Sequence, residues 1–172
     1  MDPRLRLLGG WLYRRGENVI AIMLGVMFLA FIAQIIFRYA LNFPSGWAFE
    51  LSLIMWLWLV PWGAAFVVTE REMIRFDLLY GALGTRLRAV TSAITGLFII
   101  AVYLYSLPAV LDYVMFMRVE TSSYLDIRFD LLYSIYPIFA VAVVCRYIWI
   151  VAKSLRGKPP AAFDPTKANS GV

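Results

Sequence analysis

The chain has 172 residues, 62% of them hydrophobic, with a formal net charge of +5 and a mean hydropathy of +0.76. Soluble domains sit nearer half apolar, so this balance points to a membrane protein. The lack of histidine removes imidazole metal sites and proton relays, and the lone Cys145 removes intrachain disulfides and cysteine clusters. No Walker, dinucleotide or nucleophile-elbow pattern occurs either, so a membrane enzyme or redox subunit would lack obvious ligands or a nucleophile–base pair.

Taken in chain order, residues 1–16 carry "PRLRLLGGWLYRR", a mixture of Leu, Trp, Tyr and Arg that suits an interfacial helix lying on anionic lipid. Val19–Phe37 is free of charge and long enough to span a bilayer. It ends in Arg38-Tyr39 rather than a small-residue cleavage site, so a retained anchor over about 19–38 is expected. Trp47–Thr69 is a second run whose single charge is Glu50. The following "REMIRFDLLYGALGTRLR" is again basic and amphipathic, suited to the membrane surface. Ala89–Leu111 has no charge, and Leu131–Ala152 has only Arg146. The expected fold class is an all-α integral membrane protein, with four spans at about 19–38, 47–69, 89–111 and 131–152 within a domain of residues 17–152. Residues 153–172, rich in Pro and Ala from Gly157 onward, read as a disordered tail.

Basic residues set the orientation. Arg4, Arg6, Arg14, Arg15, Arg71, Arg75, Arg86, Arg88, Lys153, Arg156, Lys158 and Lys167 fall on one side, against Arg38, Arg118 and Arg128 on the other. The positive-inside rule then puts both termini and the second loop in the cytoplasm, and it assigns these charges to membrane topology rather than to nucleic acid. The third loop adds Asp112, Glu120, Asp126 and Asp130, an acidic surface that basic patches on a partner would complement. The heptapeptide IRFDLLY occurs at Ile74–Tyr80 and Ile127–Tyr133, but the flanks do not match, and it reads as coincidence in a biased alphabet.

Ionisable groups inside spans are costly and mark structural pairs or functional sites. Glu50 lies about one turn inside span two, and Arg38 closes span one at the same end across a short loop, so an Arg38–Glu50 ion pair is expected. Arg146, near the cytoplasmic end of span four, is too far in depth to reach Glu50 and is expected to snorkel to the inner surface or to pair with Glu70, Glu72 or Asp77. A small exporter or channel using Glu50 as a coupling carboxylate is the alternative, though such work favours a residue nearer the midplane. Trp47 sits near an interface, whereas Trp56, Trp58 and Trp62 crowd mid-membrane beside Pro61 and Gly63. Mid-membrane indoles can simply face lipid, yet this uneven surface makes span two the expected contact helix.

These residues resemble the small membrane subunit of TRAP transporters, the DctQ type. The likeness rests on Arg38-Tyr39, Asn42 and Pro44, Trp47 with Glu50, Trp56 or Trp58, Gly63-Ala64, and Ile74, Arg75, Asp77 with Leu78-Leu79. It continues with Ser122, Tyr133, Pro137 and Arg146, covering about residues 15–152. Where many members place a histidine before the Ile-Arg pair, this chain has Met73. The resemblance implies a non-catalytic subunit of the bacterial inner membrane without a cofactor of its own. Its partners would be a large multi-span subunit, which carries the substrate and sodium sites, and a periplasmic binding protein that captures an organic acid.

Overall fold

The computed structural model describes residues 3–43, 45–68 and 84–156, with side chains described from Arg14 onward. Among them the chain is helical. Helix α1 (Pro3–Ile35) passes into a π-turn at Ile36–Ala40, and α2 (Gly46–Trp62) into another at Gly63–Val67. Helix α3 (Thr85–Phe116) tightens into a 3₁₀ turn at Met117–Val119, and a short α4 (Phe129–Tyr133) leads into α5 (Ile135–Leu155). Four stretches are long and apolar enough to cross a membrane: Arg14–Ala40, Gly46–Val67, Thr85–Val119 and Phe129–Leu155. They coincide with the four runs expected from hydropathy. The first, third and fourth are longer, because helical hydrogen bonding continues past the charges that bound an apolar run. No break separates the basic segment at residues 3–16 from the first span.

Prolines account for two of these irregularities. Pro61 cannot donate to the carbonyl four residues earlier, and directly after it the amide of Gly63 is shared between the Leu59 and Val60 carbonyls as the helix widens into its π-turn. Pro137 likewise leaves the Tyr133 carbonyl without its helical donor, and the chain makes a turn at Ser134 between α4 and α5. There the Ser134 hydroxyl donates to the Leu131 carbonyl at 2.7 Å. Ser52 and Thr91 bond back in the same way to Ala48 and Leu87, which satisfies each hydroxyl without a second helix.

The contacts fall into two units. Among the described residues, one comprises 3–43, 45–67 and 107–141. Its centre is the packing of α1 on α2, where small residues let the backbones approach: Ala30, Ala48 and Ala65 are buried. A Cβ on Gly63 would lie 3.2 Å from Cδ1 of Ile20, and one on Gly16 would lie 3.3 Å from Cγ2 of Val67. Leu132 and the fully covered Ile135 complete this core.

Among the described residues, the other unit comprises 68, 84–106 and 142–156. There Ala93 and Gly96 of α3 and Val143, Val144, Ile150 and Val151 of α5 form the buried set. Gly96 is the tightest point, since a Cβ would lie 2.5 Å from Cγ2 of Val151. A β-branched side chain cannot swing away cheaply. Gly96→Ala is therefore expected to destabilise the protein by about 1–3 kcal/mol despite the better helix propensity of alanine. A lower thermal unfolding midpoint of the full chain in detergent checks this; an unchanged or raised midpoint would contradict it.

Candidate functional site

The most organised polar arrangement among the described residues lies at the start of α2. After the 3₁₀ turn the chain extends at Glu120 and doubles back on itself. Phe129 N–H donates to the Glu120 carbonyl at 3.0 Å and Ser122 N–H to the Ile127 carbonyl at 2.9 Å, while Thr121 and Arg128 form an isolated antiparallel bridge. The Ser122 hydroxyl is buried in the neck of this loop and accepts from Ile127 N–H at 3.1 Å. Asp126 closes the turn in the left-handed region, at φ 50°, which aspartate tolerates better than most residues. Beyond the neck, Arg128 and Asp130 form an ion pair, and Asp130 also accepts from Leu131 N–H at 2.9 Å, so α4 starts on a carboxylate.

This loop presents its tip to α2. The N–H groups of Tyr124 and Leu125 both donate to one carboxylate oxygen of Glu50, Oε2, at 2.9 Å each. The Tyr124 ring lies directly over Gly46, the first residue of α2. A Cβ there would fall 2.0 Å from the ring, so any larger residue would force the exposed ring to swing aside. Ring and carboxylate thus grip the loop at two points one helical turn apart. Charge-assisted hydrogen bonds contribute about 1.5–3 kcal/mol when dry. Tyr124 is exposed and Glu50 only half-buried, so about 1–2 kcal/mol for the pair is the appropriate scale.

The expected Arg38–Glu50 ion pair is not formed. Arg38 sits in the π-turn after α1, exposed, with its guanidinium 5.9 Å from the centre of the Tyr39 ring. The physical reason is competition. Two backbone amides already aimed at Glu50 supply its positive partner without the entropy cost of holding a long arginine side chain.

The aromatic residues of α2 divide by face. Phe49, Leu53, Trp56 and Val60 recur at helical spacing and form an exposed stripe. Trp47, partly exposed, meets Phe37 edge-on at 6.1 Å. Trp58 and Pro61 are half-buried. Trp62 packs against Phe66 with ring centres 4.7 Å apart, its indole N–H buried without a partner among the described residues, and Gly63 faces Ile20 of α1. The stripe borders an open apolar groove of about 850 Å³ whose other wall is Leu24, Phe28 and Phe31 of α1, with Gln34 as a polar side chain on it.

Arg146 is half-buried on α5 and engaged with a neighbour, whereas Arg75, Asp77, Glu70 and Glu72 lie outside the described residues. The first IRFDLLY copy lies outside them as well; the second forms the far limb of the loop and α4. No three Asp, Glu or Cys side chains among the described residues gather where they could hold a metal. Sequence reasoning missed Tyr124, Leu125 and Gly46, because backbone donors leave no residue signature. It also missed Phe49 and Leu53, which the helical period from Trp56 could have found.

A family model described as "Tripartite ATP-independent periplasmic transporters, DctQ component" matches residues 27–157. A curated relative, the C4-dicarboxylate TRAP transporter small permease protein DctQ of Vibrio cholerae serotype O1 (strain ATCC 39315 / El Tor Inaba N16961), is 38% identical over 72 residues. The match covers 42% of this chain and 31% of that relative, so this chain spans less than a third of its length there.

Removing the Glu50 acceptor tests the latch. Glu50→Ala should speed amide hydrogen exchange at Tyr124 and Leu125 by about tenfold, with Glu50→Gln in between because its neutral carbonyl still accepts. Unchanged exchange at both amides in the alanine variant would show that the carboxylate does not hold the loop.

Proposed function

This chain belongs to the DctQ family, the small membrane component of tripartite ATP-independent periplasmic transporters, and on that premise we propose that it braces a large multi-span transport subunit and helps receive a periplasmic binding protein. The cargo would be an organic acid, with the C4-dicarboxylates named for the Vibrio relative as the first class to test. In this reading the substrate and coupling-ion sites, sodium included, belong to the large subunit. The chain crosses the bacterial inner membrane with both termini in the cytoplasm, a placement supported by the twelve basic residues on that side against three on the other.

The observation that carries the proposal is the uncovered groove along Phe49, Leu53 and Trp56 of α2 and Phe28 and Phe31 of α1. A surface facing only lipid has no need of a concavity of about 850 Å³ lined with rings. Such a surface suits knobs from another helix, because association within a bilayer is driven by packing rather than by water exclusion. Glu50 supports the same reading. With Oε2 occupied by two backbone amides it serves as a structural acceptor, and the loop it holds would be the docking face for the binding protein.

Tagged chain drawn from native membrane in mild detergent should bring down a multi-span partner. Replacing Phe49 and Trp56 together by alanine should cut that recovery about tenfold, since buried aromatic anchors dominate interfaces. Substrate preference should stay unchanged in uptake assays. Substrate flux by this chain alone in liposomes would instead overturn the subunit reading and make Glu50 a coupling group.

A further inference from the structure

The groove between α1 and α2 has two polar side chains on its walls, Ser52 and Gln34, and they differ in how they are satisfied. The Ser52 hydroxyl donates to the Ala48 carbonyl of its own helix at 3.0 Å. The Gln34 carboxamide, half-buried on α1, makes no hydrogen bond among the described residues. Gln34 belongs to the first span, where hydrocarbon can neither donate to an amide nor accept from it. The remaining lining is aliphatic, thioether or aromatic, so the groove by itself offers this amide nothing.

Two further observations point out of the chain in the same direction. Arg38 follows Gln34 by four residues, about one turn nearer the end of the span and roughly 6 Å along the axis. It is exposed and forms no ion pair among the described residues. Glu50, the acid expected for it, has Oε2 taken by the Tyr124 and Leu125 amides. Gly25 lies on the groove wall, and a Cβ on it would meet nothing within 4 Å. The described packing of this chain therefore does not call for glycine there, and glycine is a poor helix former. With Ala21 one turn before it, Gly25 lowers the wall at a place where a second backbone can come close.

We propose that the groove seats one transmembrane helix of the large subunit, and that this helix carries an aspartate or glutamate at the level of Gln34 and Arg38. Its carboxylate accepts from the Gln34 carboxamide N–H and from the Arg38 guanidinium. A carboxylate suits two donors because it is an acceptor only, with two oxygens to share between them. A lipid could answer Arg38 with its phosphate, but it would lay hydrocarbon against Gln34. The pairing sets the register of the seated helix, which the apolar rings alone leave free to slide. The inference rests on the subunit reading and goes beyond it by stating the chemistry that the partner brings to one position.

The test draws tagged full chain, unmodified or carrying Gln34→Leu or Arg38→Glu, from native membrane in mild detergent. Recovery of the multi-span partner should fall about threefold for Gln34→Leu and about tenfold for Arg38→Glu. The thermal midpoint of the Gln34→Leu chain by itself should not fall, since no hydrogen bond within the chain is lost. Lysine is then placed, one position at a time, at each acidic residue near the ends of the partner's spans. One such change should restore recovery with Arg38→Glu. If neither variant lowers recovery, the proposal is overturned and the subunit reading stands. If no lysine restores it, Arg38 answers a lipid phosphate or its own chain, and the carboxylate assignment falls. A lowered midpoint for Gln34→Leu would make Gln34 part of this chain's own packing and overturn the proposal as well. A second copy of this chain in place of any multi-span partner would overturn the subunit reading and the proposal together.

Discussion

Hydrocarbon offers no hydrogen bonds, and most of the local design of this chain follows from that. Each polar group placed within or beside a span needs a partner from the protein itself. Hydroxyls of Ser52, Thr91 and Ser134 return to carbonyls of their own helices. The amides at the tip of the 120–129 loop find the Glu50 carboxylate. Where Pro61 and Pro137 withdraw donors, the chain answers with a π-turn and a turn at Ser134, while α3 runs unbroken through Pro108. Helix α2 therefore does two separate things with two parts of its surface. Its first turn holds a loop through polar contacts, and its mid-span stripe leaves rings uncovered.

How much of this could be read from residues alone depended on the kind of signal. The four spans were legible because twenty apolar residues have few other uses, and the described helices fall where those runs lie. Family membership was legible through a set of residues around Glu50, each of them weak by itself, and the family model covers that region. The partner of Glu50 was not legible. Charge complementarity led to Arg38, the nearest cation, whereas the donors proved to be main-chain groups that any residue supplies. The only hint was Gly46, one turn before Glu50, where a side chain would have excluded the Tyr124 ring. The division of tryptophans by face was half legible: the shared face of Trp58 and Trp62 followed from spacing, but which face stays open depends on where α1 lies.

The loop latch and the open groove bear on the subunit reading in different ways. A bracing subunit must present a fixed surface, so its own loops should be tied down from within rather than by the partner. The contact of the Tyr124 ring with Gly46 and the hold of Glu50 on the loop amides do this with one ring and one oxygen atom. The groove, by contrast, gains its full value only when filled, since an aromatic surface in lipid has dispersion partners of poor fit.

The π-turn at Gly63–Val67 has a consequence for how α2 addresses its surroundings. An extra residue in a turn offsets everything after it by roughly 100° relative to an uninterrupted α-helix. The row running through Phe49, Leu53, Trp56 and Val60 therefore does not continue on the same face beyond Gly63. The helix is aimed twice, once on each side of that turn. Either half can change its bearing by the gain or loss of one residue near position 63, without rewriting the other half.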